Sequence, residues 1–188
     1  LKVKIILACL IILIFPIKNY STELTKNDLA KLRVLFYQST KNEDSLDTLF
    51  TFLSVLNKKN DMKNNPLLIA YSGAGKALLA KYTFFPWDKL RYVNDGFRLM
   101  DEAVELDDNN LEIRFLRFSV LTNIPPILGY TEEANTEANT LYLLLKSSNI
   151  MEDEKLIKNI AEFLILSKRL DQNKEKDLGQ TFKISIKQ

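Results

Sequence analysis

AVELDDNNLEIRFLRFSVL, residues 103–121, joins two apolar runs of helical spacing through four consecutive Asp and Asn residues. Upstream, Leu90, Val93, Phe97, Met100 and Val104 recur every three or four positions, and downstream Leu111, Phe115, Phe118 and Leu121 do the same. Each run is one face of a helix with 3.6 residues per turn. Asp107 to Asn110 suit a turn, because short polar side chains bond nearby backbone N–H groups and cap the helix that follows. So short a connection makes the two helices antiparallel neighbours.

The same periodicity extends in both directions. Thr25 and Asp28 form a capping-box variant ahead of Leu29, Leu32, Leu35 and Phe36. Asn42 or Asp44 caps a second stripe of Leu46, Leu49, Phe50, Leu53 and Leu56. Asn65-Pro66 places a capping amide before a proline suited to the first helical turn, and that helix runs to about Thr83. Asp88 is a cap for the helix that leads into Asp107. Pro125-Pro126 ends the helix after Asn110, since neither proline donates a backbone bond. Thr131 opens another helix to Ser147 or Ser148, with Glu132 and Glu133 at its electropositive end, and a last one spans about Glu152 to Leu170. Residues 171–188 read as a polar C-terminal tail in which Phe182, Ile184 and Ile186 alternate at strand spacing. The expectation is an all-α domain over residues 22–170, of about seven antiparallel helices.

Composition narrows the chemistry. The 188 residues hold 26 Lys and Arg, 24 Asp and Glu, one Cys and no His. Without His, the commonest general base and metal ligand is missing. One Cys excludes an intrachain disulfide and every zinc pattern needing two thiolates. No cofactor or metal is expected.

Residues 1–21 stand apart. Lys2 and Lys4 precede the apolar run Ile5 to Phe15, which Pro16 ends, matching the basic and apolar regions of a secretory signal. The run is shorter than the roughly 20 residues needed to span a bilayer. The expectation is therefore a signal peptide and an exported, periplasmic or secreted domain, with an uncleaved inner-membrane anchor as the alternative. Cys9, despite a superficial lipoprotein-box context, reads as an apolar member of the run. Removing Lys2, Lys4 and Lys18 leaves 23 of the 26 basic residues against 24 acidic ones, a net charge of −1. That balance gives nucleic-acid binding no electrostatic footing. Membrane contact is expected only if the N-terminal segment is retained.

Ala103 to Asn110 resembles the end of a tetratricopeptide repeat, which closes on Ala-x-Glu-Leu-Asp-Pro-Asn-Asn; Asp108 stands where the repeat prefers Pro. A second resemblance, carried by EIRFLRFS at 112–119, NIPP at 123–126, LGY at 128–130 and AYSGAGKA at 70–77, is to a family of uncharacterised exported, repeat-like helical proteins of Bacteroidota. Together they imply a tetratricopeptide-like stack of helical hairpins, an α-α superhelix, outside the cytoplasm. They bring no activity or ligand.

Four features invite functional readings. Gly73-Ala-Gly75-Lys76 fails as a phosphate loop, because Ala70 and Ala77 occupy positions that need Gly and Ser or Thr. Ala70, Gly73, Ala74 and Ala77 instead form a small-residue face for close helix packing. The acids Asp101, Glu102, Glu105, Asp107 and Asp108 lack the glycine and terminal glutamate of a calcium loop and read as an exposed helix face. Arg114 and Arg117, on an otherwise apolar helix, are expected to form a structural ion pair with Asp101 or Glu102, since the planar guanidinium suits buried carboxylates. Tyr82, Phe84, Phe85, Trp87, Arg91 and Tyr92, with Tyr130, form the densest aromatic set, either plugging one end of the stack or binding a partner. The functional expectation is a non-enzymatic scaffold or interaction module for a protein or peptide. The alternatives are a small all-α cell-wall glycosidase using a Glu acid and a membrane-anchored periplasmic domain.

Overall fold

The computed structural model describes residues 24–59, 65–148 and 153–185, and all regular structure among them is helical. Eight α-helices follow one another: α1 (Lys26–Ser39), α2 (Glu43–Lys59), α3 (Pro66–Tyr82), α4 (Pro86–Leu106), α5 (Leu111–Leu121), α6 (Thr131–Ser147), α7 (Glu154–Leu166) and α8 (Gln172–Phe182). A single 3₁₀ turn, Pro126–Leu128, lies between α5 and α6. The signal-peptide reading of residues 1–21 falls outside the described residues, as does Ile186.

Polar caps set most of the starts. Thr25 accepts from the Asp28 N–H and donates its hydroxyl to the Asp28 carboxylate. Asn65, Asn110 and Asp153 each accept from backbone N–H groups two or three residues on. Helix α4 departs from expectation: Pro86 occupies its first turn and Asp88 lies inside it, so no side chain caps it. A proline there needs no N–H partner, which removes one of the orphaned donors.

Helix α8 corrects the reading of residues 171–188 as a polar tail. Asp171 accepts from the N–H groups of Asn173 and Lys174 at 3.0 Å each, and Glu175, Leu178, Gly179 and Phe182 form its buried stripe. Only two of those four residues are large and apolar, so the stripe hardly registers as a hydrophobic period. Phe182 and Ile184 are no strand either. Lys183 turns left-handed at φ 53°, and the Ile184 N–H returns to the Gly179 carbonyl at 2.9 Å, closing the helix as a Schellman-type cap.

Consecutive helices pack in antiparallel pairs, and α1, α3 and α5 also pack on one another. Phe115 and Phe118 of α5 meet Phe163 of α7 edge to face at 5.4 and 5.9 Å, continuing that row. The result is a stack of four hairpins. Its core has two parts, one from α1 to the start of α6, where Ala134 closes it, and one from α5 to α8. Helix α5 belongs to both: Ile113, Leu116 and Leu121 face the first, Phe118 the second. That explains why its sequence is apolar nearly all round.

The tightest contact joins α3 to α4. A Cβ built on Gly73 would lie 2.7 Å from the Gly96 carbonyl, and one on Gly96 would lie 2.7 Å from the Ala77 Cβ. The small face of α3 thus meets a glycine of α4. Lys76, the would-be phosphate-loop lysine, points outward to Asp95 at 3.8 Å. No helix among the described residues is long and apolar enough to cross a membrane.

Candidate functional site: an exposed aromatic corner

The α3–α4 corner carries three neighbouring rings that avoid the core. Phe84 and Phe85 meet edge to face at 5.5 Å, and Phe85 stacks on Trp87 at 5.0 Å. Phe84 is 86% exposed, Trp87 67% and Phe85 47%. At roughly 200 Å² per aromatic side chain these exposures leave about 400 Å² open, within the size range at which apolar patches mark interaction sites. Leu90, one turn into α4, is exposed beside them.

The corner is held rigidly from behind. The Tyr82 hydroxyl donates to the Ser39 carbonyl at 2.6 Å and Lys81 donates to the Thr40 carbonyl at 2.6 Å, pinning the end of α3 to the end of α1. Arg91 pairs with Asp88 at 2.7 Å and lies over the Tyr92 ring. Of the aromatic set named from sequence, then, Phe84, Phe85 and Trp87 share one exposed surface, while Tyr82 anchors it. Tyr130 belongs elsewhere: its ring stacks on Phe97 at 5.1 Å and closes the first core.

Arg114 and Arg117 lie in a groove of about 340 Å³ between α4, α5 and α6. Arg117 donates to Asp101 at 2.8 Å, to Glu137 at 3.1 Å and to Glu133. Arg114 donates to Glu137 and to the Asp108 carbonyl. Glu102 takes no part; it lies 4.0 Å from Arg98 on its own helix. The central acid is Glu137, whose side chain is only 4% exposed. Burial pushes its carboxyl above the ordinary glutamate range, against the opposing pull of Arg114 and Arg117. Burial also works against the Arg117 charge, yet Asp101, Glu137 and Glu133 more than offset it and raise its pKa. The groove is a structural ion network whose carboxylates are turned toward guanidinium groups.

Sequence reasoning missed a second network. Glu112, buried in the first turn of α5, accepts two bonds from Arg33 of α1 and one from the Tyr71 hydroxyl of α3 at 2.5 Å. Arg33 also donates to Asp153, the cap of α7, at 2.5 Å. One cluster therefore ties all four odd-numbered helices. The hydrogen bonds and charge of Glu112 raise the Arg33 pKa against its burial, while burial and the nearby carboxylate raise that of Tyr71. Tyr71 offered the available signal: a tyrosine inside LLIAYSGAG must be buried, and a buried hydroxyl needs a partner.

Among the described residues no cluster of three or more acidic, Cys or His side chains is placed to hold a metal ion. No protein-family model, curated protein or solved structure matches the chain.

Proposed function

We propose that this chain is an exported helical scaffold that binds a protein partner through the Phe84–Phe85–Trp87 corner. One observation carries the reading: three large rings in contact with one another stand outside the core on a corner that the partly buried Tyr82–Ser39 hydrogen bond ties to α1. A rigid aromatic anchor loses little entropy on binding, which is why Trp and Tyr dominate interface hot spots. Burying about 400 Å² of such surface is worth about 10 kcal/mol gross at 25 cal/mol per Å². Association costs of a similar size follow, so the corner needs neighbouring contacts to hold a partner firmly. Export is supported by Lys2, Lys4 and the Ile5–Phe15 run.

The test is affinity purification from the native host, identification of the captured protein, and reconstitution with purified components. Phe84→Ser with Trp87→Ser should abolish binding while leaving the melting temperature unchanged. Undiminished binding by that variant would refute the reading. Mass spectrometry of the recovered chain should find Thr22 at its N-terminus; a retained residue 1–21 segment would replace export by anchoring.

A further inference from the structure

We propose that helices α6 to α8 form a rigid block hinged at the α5–α6 connection, and that Arg33 clips its free end shut through Asp153. The two-part core sets this block apart. Except for Phe118, every buried residue of the second core lies between Ala138 and Phe182. Side-chain bonds knit the block internally: Tyr142 and Lys146 of α6 hold Asp177 of α8, Lys174 bonds Asn139 at 2.6 Å, and Arg169 bonds Asn135 at 3.2 Å.

The block is fixed to the rest of the molecule at the start of α6. There Tyr130 stacks on Phe97, Ala134 belongs to the first core, and Glu133 and Glu137 both hold Arg117 of α5. From Ala134 to Ser147, α6 runs back along α5 for roughly 20 Å, at 1.5 Å per residue. Helix α7 therefore begins at the far end of that seam, beside the start of α5. Arg33 of α1 stands at this end, with Glu112 in the first turn of α5 on one side and Asp153, the cap of α7, on the other. Among the described residues, Arg33–Asp153 is the only hydrogen bond or ion pair that joins α7 or α8 to any helix from α1 to α5. Between pivot and clip, Phe163 lies edge to face against Phe115 and Phe118.

The two acids that share Arg33 differ in their access to water. The Glu112 side chain is 7% exposed and that of Asp153 is 40% exposed. Salt screens a partly exposed pair far more than a buried one, so the Asp153 bond yields first. Its loss leaves Arg33 on Glu112 and the first core intact. The second block then swings about the Arg117 end and lifts Phe163 off Phe115 and Phe118. Closure of the stack is in this way set by one ion pair and is sensitive to ionic strength.

Pulsed dipolar spectroscopy on the full chain, carrying Cys9→Ser, tests the device. Spin labels at Ala30 on α1 and Lys158 on α7, both exposed, measure the gap across the clip. Labels at Ala30 and Glu102, both within the first block and exposed, are the control. Asp153→Asn removes the charge but keeps a side chain that caps α7 equally well. The expected result is one dominant short distance in the parent and an open-to-closed ratio about fivefold higher in Asp153→Asn. The parent in about 1 M sodium chloride should show the same gain, the variant no further gain, and the control pair no change. An unchanged Ala30–Lys158 distribution in both the variant and high salt would overturn the clip. An equal broadening of the control pair would overturn the hinge, since the whole stack would then be loosening together.

Discussion

Arg33 holds Glu112 in a parallel fork, Nε to Oε1 at 2.8 Å and Nη2 to Oε2 at 2.7 Å, between residues 79 positions apart in the chain. The pair joins the first hairpin to the third, and it does so beneath Tyr71, whose hydroxyl completes the coordination of the same carboxylate. Breaking such a pair from one side leaves a buried charge without a partner, which costs more than the pair itself contributes. Arg33→Ala is expected to lower stability by about 3–5 kcal/mol in urea unfolding. Adding Glu112→Gln to that variant should restore part of the loss, because the orphaned charge is then gone. Equal stability of the single and double variants would contradict this account.

Arg117 should matter more than Arg114. Its side chain is 11% exposed and serves Asp101, Glu133 and Glu137 at once, whereas Arg114 is 19% exposed and shares only Glu137 among carboxylates. Arg117→Ala is expected to cost about 3 kcal/mol or more, and Arg114→Ala about 1–2 kcal/mol. Thermal melts of the two variants check the order, and a larger loss for Arg114→Ala would reverse the assignment of the central cation.

The glycines of α3 give a prediction of sign. Alanine is favoured over glycine by about 1 kcal/mol in a helix interior. At Gly75 an added Cβ meets the Leu49 and Phe50 side-chain ends at 3.4 Å, which can yield, so Gly75→Ala should be neutral or slightly stabilising. At Gly73 the obstacle is the Gly96 backbone carbonyl at 2.7 Å, so Gly73→Ala should destabilise by about 1–3 kcal/mol through overpacking. Denaturant midpoints of the two variants should move apart.

How much of this was legible in the sequence depends on what marks a residue. Apolar spacing outlined α1 to α7, because each buries several large side chains on one face, as Leu46, Leu49, Leu53 and Leu56 do on α2. Helix α8 was illegible because Glu175 and Gly179 occupy half of its buried stripe. The aromatic corner could be named as a group, yet spacing could not divide Tyr82 and Tyr130, which point inward, from Phe84 and Trp87, which do not. Long-range charge pairs were harder still. Arg114 and Arg117 could be directed only to Asp101 or Glu102 on the preceding helix, of which Arg117–Asp101 alone forms, and Glu137 and Glu112 look like ordinary surface acids until the hairpins are stacked.

Acid should loosen the C-terminal hairpins. The Tyr142 hydroxyl donates to Asp177 at 2.8 Å and Lys146 bonds it at 3.1 Å, and these contacts hold its carboxyl below the ordinary aspartate range. A carboxylate whose folded pKa is depressed contributes stability above its unfolded value, about 3.9, and loses it as the pH falls through the folded value. Asp177→Asn should therefore be less stable than the parent at neutral pH, with the difference closing below about pH 4. Melting temperatures of both proteins across that range check the sign.

The corner's role as an interface is tested most directly by site-specific photo-crosslinking in the living host. A photoreactive residue is placed at Phe84 in one version of the full chain and at Lys158, an exposed position on α7, in another. The account predicts a discrete protein adduct from position 84, lost when Trp87→Ser is added, and none from position 158. Adducts of equal yield at both positions, or at 158 alone, would contradict it.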